Sequence, residues 1–393
     1  MPGSYIVAGA RTPIGKMSGA FSSLSAADLG GFAIAAALQR ANVRPEEVEH
    51  VIMGQVLMAG QGQVPARQAA VKAGIPMSVP SININKVCLS GLNAIYQADQ
   101  MIASGEADII VAGGMESMTN APYIANGARG GFRYGNTELA DAIIKDGLWC
   151  AFDACLMGLG TDRYSAGTIS RDEQDELAMK SHQRAAAAIA SGKFVDEIVP
   201  VSMAQRKGDP IIVDTDEGVR ASTTMESLGG LKPAFDKDGT VTAGNASQIS
   251  DGASAMVIMS KREAEKRDVK PLGEFVGYGM VAGPDSASLL QQPSRSILRA
   301  LERAGKQLSD IDLFEINEAF AAVGVASMRD LGISDDVVNV NGGAIALGHP
   351  IGMSGNRIAL TLLHELHRRG GGMGAAALCG GGGQGDALLI QTI

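Results

Sequence analysis

Cys88 stands where a nucleophilic cysteine would be expected in an α/β fold. Residues 81–85 alternate apolar and polar side chains like a strand, and residues 92–101 repeat apolar side chains at helical spacing. Cys88 therefore falls near the start of a helix, beside unpaired N–H groups and the positive end of the helix dipole. These groups favour an anion, so we expect a nucleophilic thiol with a pKa below the usual ~8.5. The alternative is a buried cysteine that packs as a small apolar side chain.

Three other segments carry residues that could act with a cysteine nucleophile. They are an Asn-Glu-Ala-Phe motif at 317–320, a Gly-His-Pro-Ile-Gly motif at 348–352 and a glycine-rich segment at 379–385 that begins with a second cysteine. The imidazole of His349 could accept the thiol proton, and Cys379 could act as a second acid or base. Each motif also has a structural interpretation, since His349 could be a satisfied core residue and Asn317 could cap the following helix.

The composition describes a globular chain of more than one domain. It has 393 residues, 46% of them hydrophobic, and a formal net charge of −9. The length predicts two or three domains, and the negative charge argues against a nucleic-acid partner. The four cysteines lack the paired spacing of a zinc site, so we expect no metal. The sequence shows neither a secretory signal nor ~18 consecutive apolar residues, so we expect a reduced, cytoplasmic protein without membrane contact.

The two halves of the chain repeat the same order of short segments. Four pairs correspond: 38–54 with 301–317, 80–85 with 337–341, 107–114 with 374–381, and 251–259 with 385–393. In each half, helices alternate with short apolar strands, which predicts two similar α/β domains with a mainly parallel sheet covered on both faces. Because ligands of α/β sheets bind at the carboxyl ends of strands, the residues after Asn85 and Asn341 should face Cys379 across one crevice. In that crevice Cys88 would lie close to the other candidate catalytic residues.

The first copy is interrupted before its last strand. Residues 119–249 lie between its third and fourth segments, whereas the last two segments of the second copy are nearly adjacent. We predict an N-terminal domain of residues 1–118 and 250–270, an inserted loop domain of residues 119–249 and a C-terminal domain of residues 271–393. The insertion should contain one clear helix at 171–191, and it carries a basic pair, Arg206 and Lys207.

These motifs and their order resemble the thiolase family. The resemblance extends from an Ala-Arg-Thr-Pro-Ile-Gly segment at 10–15, through Val-Cys-Leu-Ser-Gly at 87–91, to the three motifs of the C-terminal half. It implies a thiolase-like fold of duplicated α/β domains in five α-β-α-β-α layers, with an inserted loop domain. It also implies an acyltransferase that condenses two acetyl-CoA to acetoacetyl-CoA and CoA, or cleaves a short 3-oxoacyl-CoA, through an acyl-cysteine intermediate.

The resemblance assigns a role to each candidate catalytic residue. Cys88 is implied as the nucleophile, His349 as the base that activates it, and Cys379 as the acid and base at the substrate α-carbon. Oxyanions are implied to be stabilised by His349 together with a water positioned by Asn317, and also by the backbone N–H groups of Cys88 and Gly381. The substrates are CoA thioesters, and neither a metal nor a redox cofactor is implied.

The inserted lobe is implied to bind CoA. Arg220 would pack against the adenine ring, which a cation–π contact would favour, although a solvated surface charge is the alternative. The other implied contacts are Ser227 near the adenine, Ser247 on the pantetheine, Leu148 and Met157 along the tunnel, and Ala243, Ala319 and Phe320. Residues 127–135 resemble the loop through which such enzymes form homotetramers, so we expect a homotetramer.

Three features depart from the family pattern. They are Leu156 where His is usual, Gln248 where Gly is usual, and residues 285–293, which lack the usual Met-Gly. All should lie near the acyl or pantetheine tunnel, so a thiolase of broader or longer 3-oxoacyl-CoA specificity is the alternative. A 3-oxoacyl synthase of the same fold is disfavoured because a decarboxylating condensation needs no base such as Cys379. A non-enzymatic acyl-CoA-binding protein or scaffold would not require all four candidate catalytic residues.

Overall fold

Helices and short strands alternate along most of the chain. The computed structural model describes residues 3–205 and 207–393, so Arg206 of the basic pair lies outside the described residues. The strands are β1 (Ser4–Arg11), β2 (Gly15–Lys16), β3 (His50–Gly54), β4 (Ser81–Ile84), β5 (Ile109–Ser117), β6 (Tyr123–Ile124), β7 (Ala140–Asp141), β8 (Trp149–Cys150), β9 (Cys155–Leu156), β10 (Val201–Met203), β11 (Ile211–Val213), β12 (Ser250–Ser260), β13 (Gly273–Ala282), β14 (Leu313–Ile316), β15 (Met373–Gly380) and β16 (Gln384–Gln391). The α-helices are α1 (Ala26–Ala41), α2 (Pro65–Lys72), α3 (Ser90–Ser104), α4 (Met157–Ser165), α5 (Arg171–Ala190), α6 (Met225–Gly229), α7 (Lys261–Lys266), α8 (Gln292–Ala304), α9 (Ala321–Leu331), α10 (Ala344–Leu347) and α11 (Ser354–Arg368). Among the described residues, no helix combines the length and apolarity that crossing a membrane would need.

One ten-stranded sheet runs through the molecule and contains both copies of the repeat. Its order is β14-β15-β16-β13-β1-β12-β5-β3-β4, with β2 beside β12. Toward the centre of the sheet, β3, β5, β12 and β1 of the first copy match β14, β15, β16 and β13 of the second, and β4 lies outside β3 at the edge. The copies meet where Tyr5 and Ile6 of β1 pair with Glu274 and Gly273 of β13. Each half therefore has the same strand order, as the repeated segments predict.

The expectation of a mainly parallel sheet was wrong. β3 pairs in parallel with β4 and β5, and β14 with β15, but β1, β12, β13 and β16 pair with their neighbours in antiparallel fashion. The cause is the last strand of each copy. β16 follows β15 across a short glycine turn, which can join only antiparallel strands, and β12 takes the equivalent place beside β5. Within the described residues 337–341, a single bridge from Val338 to Phe314 replaces the strand that was expected there.

Three apolar clusters define the layers around the sheet. Helices α1 and α2 cover one face of the first copy, with Leu29 fully buried. Helices α3 and α11 lie between the two copies, where Leu92 and Leu362 share a cluster with strands of both halves. Helix α8 covers the outer face of the second copy through Ile297, and α9 adds Leu331. This alternation is the five-layered α-β-α-β-α arrangement that was predicted.

The helix that follows Cys88 forms as its apolar spacing predicts. Helix α3 buries Leu92, Ile95 and Ala98 and ends at Gly105, whose φ of 77° favours glycine. Because α3 belongs to the central layer, both halves of the molecule hold its first turn in place.

The insertion separates two strands that are neighbours in the sheet. β5 and β12 pair along their whole shared length although residues 118–249 lie between them. Helix α5 confirms the predicted helix at 171–191. Arg11 of β1 anchors the insertion because its buried guanidinium forms ion pairs of 2.7 Å with Glu197 and with Asp216. The predicted domain boundaries stay a prediction.

Candidate active site

Cys88 lies in a tight turn between β4 and α3. Val87 has a positive φ of 51°, and the Ser90 hydroxyl accepts a hydrogen bond from the N–H of Lys86 and donates one to the Val87 carbonyl, at 2.8 and 2.6 Å. The Lys86 ammonium also pairs with Asp386 of β16 at 2.7 Å. The turn that carries Cys88 is thus fixed from its own helix and from the other half of the molecule.

His349 follows α10 and is oriented by two hydrogen bonds. Its Nδ1 lies 2.6 Å from the Ser354 hydroxyl, which itself donates to the Pro350 carbonyl at 3.0 Å. Since a hydroxyl has one proton to give, Ser354 accepts from an N–H at Nδ1, and Nε2 is left unprotonated. The side-chain amide of Asn317 lies 3.4 Å from Nε2. The imidazole therefore presents a basic nitrogen beside Asn317.

A buried carboxylate holds the turn that follows His349. Glu116 accepts hydrogen bonds from the N–H groups of Val56, Leu57 and Gly352, at 3.0 to 3.1 Å. Gly114 of β5 permits this packing, because a Cβ at that position would overlap the Gly352 carbonyl. The end of β5 and the His349 turn therefore interlock across the two copies of the fold.

Cys379 lies near the end of β15, opposite Gly385 of β16. It is buried in an apolar cluster with Leu289 and Ala319. The glycine turn that follows has φ of 81° at Gly382 and 67° at Gly383, a backbone that favours glycine. The glycine-rich segment thus forms the sharp turn between the antiparallel strands β15 and β16, and Cys379 lies near the end of β15.

A single cavity of about 610 Å³ brings the candidates together. Its wall includes Cys88 and Gly381 from the two turns, together with His349 and Cys379. It also includes most of the residues predicted to bind CoA: Leu148, Met157, Arg220, Ala243, Ser247, Ala319 and Phe320. Cysteines from the two copies of the repeat therefore share one cavity with an imidazole, as the duplication predicts.

Two predicted residues lie away from the cavity wall. Asn317 is buried and reaches the cavity through its contact with His349. Ser227 is exposed at the start of α6, where its N–H donates to the Thr224 hydroxyl and its own hydroxyl donates to the Thr224 carbonyl. These bonds cap α6, and a contact of Ser227 with CoA stays a prediction.

Several wall residues were not predicted from the sequence. Lys16 and Met17 directly follow the motif at 10–15, so extending that motif would have found them. Phe235 packs edge-to-face on Phe320, with ring centroids 6.5 Å apart, and no sequence pattern signals it. The three places where a departure from the family pattern was predicted do reach the wall, through Leu156, Gln248 and, from residues 285–293, Leu289.

Comparison with known proteins decides the family. The model of the thiolase N-terminal domain matches residues 4–262, and that of the thiolase C-terminal domain matches residues 269–392. The chain belongs to the thiolase family. Both the family and the fold that the motifs predicted are confirmed.

This thiolase is similar to proteins from several bacteria. It is 57% identical to a probable acetyl-CoA acetyltransferase of Mycolicibacterium smegmatis, covering 98% of this chain and 100% of that one. It is 51% identical to the acetyl-CoA acetyltransferase of Cupriavidus necator, covering 98% of each chain. The crystal structure of the Bacillus anthracis acetyl-CoA acetyltransferase matches with a TM-score of 0.97 at 40% identity, covering 100% of this chain and 99% of that one.

The expectation of a lowered pKa for Cys88 was wrong. Burial raises the pKa of Cys88 to about 12, and the opposing hydrogen bonds from the N–H groups of Cys88 and Gly381 do not offset it. Burial also raises the pKa of Cys379, and the nearby charge of Cys88 raises it further. A helix start favours a thiolate, but burial removes the water that would solvate the charge.

The imidazole shifts in the opposite direction. Burial lowers the pKa of His349 to about 3, and the positive charge of Arg357 lowers it further. Near neutral pH the resting thiolase therefore holds two neutral thiols and a neutral imidazole. The N–H groups of Cys88 and Gly381 oppose the rise in the pKa of Cys88, so they are candidate donors to the carbonyl oxygen of a thioester that its sulfur attacks.

The raised pKa predicts how Cys88 reacts with iodoacetamide. Its alkylation rate should rise about tenfold per pH unit between about pH 7 and pH 10 without a plateau, because only the thiolate reacts and its fraction keeps growing. Peptide-level mass spectrometry measures the rate, and glutathione gives the reference curve. A plateau near pH 8 or below would mean that the helix dipole outweighs burial, contrary to this account.

Proposed function

We propose that this thiolase is an acetyl-CoA C-acetyltransferase. It would condense two acetyl-CoA to acetoacetyl-CoA and CoA, and catalyse the reverse thiolysis, through an acetyl group carried on Cys88. The observation that supports this most is the shared cavity, whose wall holds Cys88 of one copy, Cys379 of the other and His349. Relatives that are 57% and 51% identical carry the acetyl-CoA acetyltransferase name.

In the first half-reaction Cys88 takes the acetyl group from acetyl-CoA. Its sulfur attacks the thioester carbonyl while its proton moves to Nε2 of His349, which the Ser354 bond leaves unprotonated. The developing oxyanion meets the N–H groups of Cys88 and Gly381. The CoA thiolate then departs and takes its proton from Cys379, whose raised pKa keeps it protonated until that moment.

In the second half-reaction Cys379 acts as the base. Its thiolate removes a proton from the methyl group of a second acetyl-CoA, and the resulting carbanion attacks the acetyl group on Cys88. Acetoacetyl-CoA forms, and the Cys88 thiolate recovers its proton from His349. Each group returns to its starting state, and every proton stays among two thiols, an imidazole and CoA, so the reaction needs neither a metal nor a redox cofactor.

The outer part of the cavity is assigned to CoA. Arg220 is an exposed residue of the cavity lining, which also includes Ser247, Ala243, Leu148 and Met157. An exposed guanidinium can stack on adenine, and small and apolar side chains suit the pantetheine arm.

The assembly and location follow from two further features. The segment at 123–139 exposes four large apolar side chains, Tyr123, Phe132, Tyr134 and Leu139, which assembly into a homotetramer would cover. A thiol nucleophile paired with a thiol base works only while both stay reduced, which favours the cytoplasm.

Cys88→Ala tests the nucleophile. The substitution should lower turnover by roughly 10⁴-fold or more, because it removes the thiol that is proposed to carry the acetyl group. It should also abolish covalent labelling by radioactive acetyl-CoA. Cys150→Ala is the matched control, since Cys150 is buried in β8 and is not among the cavity-wall residues. Undiminished labelling of Cys88→Ala at another residue would refute the assignment.

Cys379→Ser tests the base. A serine hydroxyl is too weak an acid to form the alkoxide needed, so deuterium exchange into the methyl group of acetyl-CoA should fall by about 10³-fold. Acetylation of Cys88 should persist, though more slowly. Nuclear magnetic resonance of acetyl-CoA in D₂O follows the exchange, and wild-type exchange in this variant would contradict the role.

A preference for short substrates follows from the wall beside Cys379. Leu289, Ala319, Met157 and Phe320 pack with it in one apolar cluster, and we infer that these side chains limit the length of the acyl chain. We expect thiolysis of acetoacetyl-CoA to exceed that of 3-oxooctanoyl-CoA at least about tenfold in kcat/KM. Equal or reversed values would favour the alternative, a thiolase of broader or longer 3-oxoacyl-CoA specificity.

A further inference from the structure

Gln248 joins two separate segments of the cavity wall through its side-chain amide. Its Nε2 donates to the carbonyls of Gly218 and Ile345 at 3.0 Å each, and lies 3.2 Å from that of Ala346. Three carbonyl oxygens around one atom require the amide nitrogen there, so the orientation of the side chain is determined by chemistry.

The two joined segments have different tasks. Gly218 precedes Arg220 on a loop of the insertion, and Ile345 and Ala346 belong to α10, which leads directly to His349. The amide thus connects the loop of the proposed adenine contact to the helix that precedes the proposed base.

The loop approaches α10 closely at Gly218. A Cβ at Gly218 would lie 2.5 Å from the Ala346 carbonyl and 2.9 Å from Nε2 of Gln248. Carbonyls at the end of a helix lack partners within the helix, and Gln248 supplies one for α10. A glycine at position 248 could not make any of these bonds.

The loop is also anchored elsewhere, since the N–H of Glu217 donates to the Ile14 carbonyl at 3.0 Å. The N–H of Arg220 donates to Nδ1 of His182 on α5 at 3.1 Å. Burial lowers the pKa of His182 to about 4, so this acceptor is neutral near pH 7. His182 fixes the loop to α5, whereas the Gln248 side chain is its link to the His349 segment.

His349 does not depend on that side chain. Its N–H donates to the backbone carbonyl of Gln248 at 3.1 Å, and Ser354 holds its ring. Both contacts survive replacement of the side chain at position 248, so the imidazole and the Arg220 loop respond differently to such a change.

We propose that Gln248 is a positioning residue that fixes the Arg220 loop relative to the catalytic cavity and thereby strengthens binding of the nucleotide end of CoA. This inference rests on the proposed function for the identity of the ligand. The side-chain amide of Gln248 takes no part in the proposed chemical steps, and its proposed role is to position the Arg220 loop.

Calorimetric binding of CoA and of pantetheine, which lacks the nucleotide, tests the proposal on the full-length protein. Gln248→Gly removes all three bonds, and Gln248→Glu keeps the shape but sets a carboxylate against three carbonyls. Both substitutions should weaken CoA binding about tenfold, because buried carbonyls lose their hydrogen-bond donor. The Kd of Gln248→Glu for CoA should be at least as high as that of Gln248→Gly. The Kd of pantetheine should stay within about twofold of wild type, since Arg220 does not reach it.

Gln183→Ala is the matched control, because Gln183 is exposed on α5 beside His182. Thermal melting confirms that each variant is folded. Unchanged CoA affinity in both Gln248 variants would overturn the proposal, and so would an equal loss for CoA and pantetheine, which would indicate a general structural role. Binding does not require turnover, so an inactive wild-type protein that binds CoA would count against the proposed function and leave this inference standing.

Discussion

The site depends on the apolar packing of the layer formed by α3 and α11. It packs against strands of both copies of the repeat, and β1 pairs with β13 beside it, so the two halves are held face to face. Fully burying a leucine such as Leu92 or Leu362 is worth about 1.5–3 kcal/mol. Many such side chains fix the carboxyl ends of β4 and β15 around one cavity, and neither half alone contains both sulfurs.

The same burial sets the protonation states in the cavity. Cys88 lines the cavity and is partly exposed, yet burial raises its pKa because its surroundings solvate a thiolate poorly. His349 stays neutral for the same reason. Without substrate, neither thiol nor the imidazole is charged. Proton transfer begins when a carbonyl arrives at the N–H groups of Cys88 and Gly381. Desolvation and preorganised donors thus act together.

The sequence predicted features that depend on local pattern or on self-similarity. The apolar spacing after Cys88 gave α3, and the repeated segments gave the strand order of each half. The motifs identified Cys88, His349, Cys379 and Gly381 in the cavity wall, and Lys16 was missed because its motif was taken one residue too short.

Features that arise from packing could not be predicted in this way. The prediction of a lowered pKa for Cys88 considered only the local helix dipole. Burial by side chains from distant segments raises that pKa instead. The antiparallel pairing of β12 with β5, and of β16 with β15, depends on where each strand inserts in the sheet. The periodicity of the sequence does not predict that position. Phe235 reaches the cavity through its contact with Phe320. The link from Gln248 to Gly218 also becomes visible only in three dimensions.

The shared position of the two sulfurs is the central claim, and a cross-linking measurement tests it directly. A short bifunctional thiol reagent, added to the native protein and followed by peptide mass spectrometry, should join the peptide of Cys88 to the peptide of Cys379. Prior binding of acetyl-CoA should prevent that product. Single modification of each cysteine without the joined peptide would contradict the account, because it would place the two thiols in separate environments.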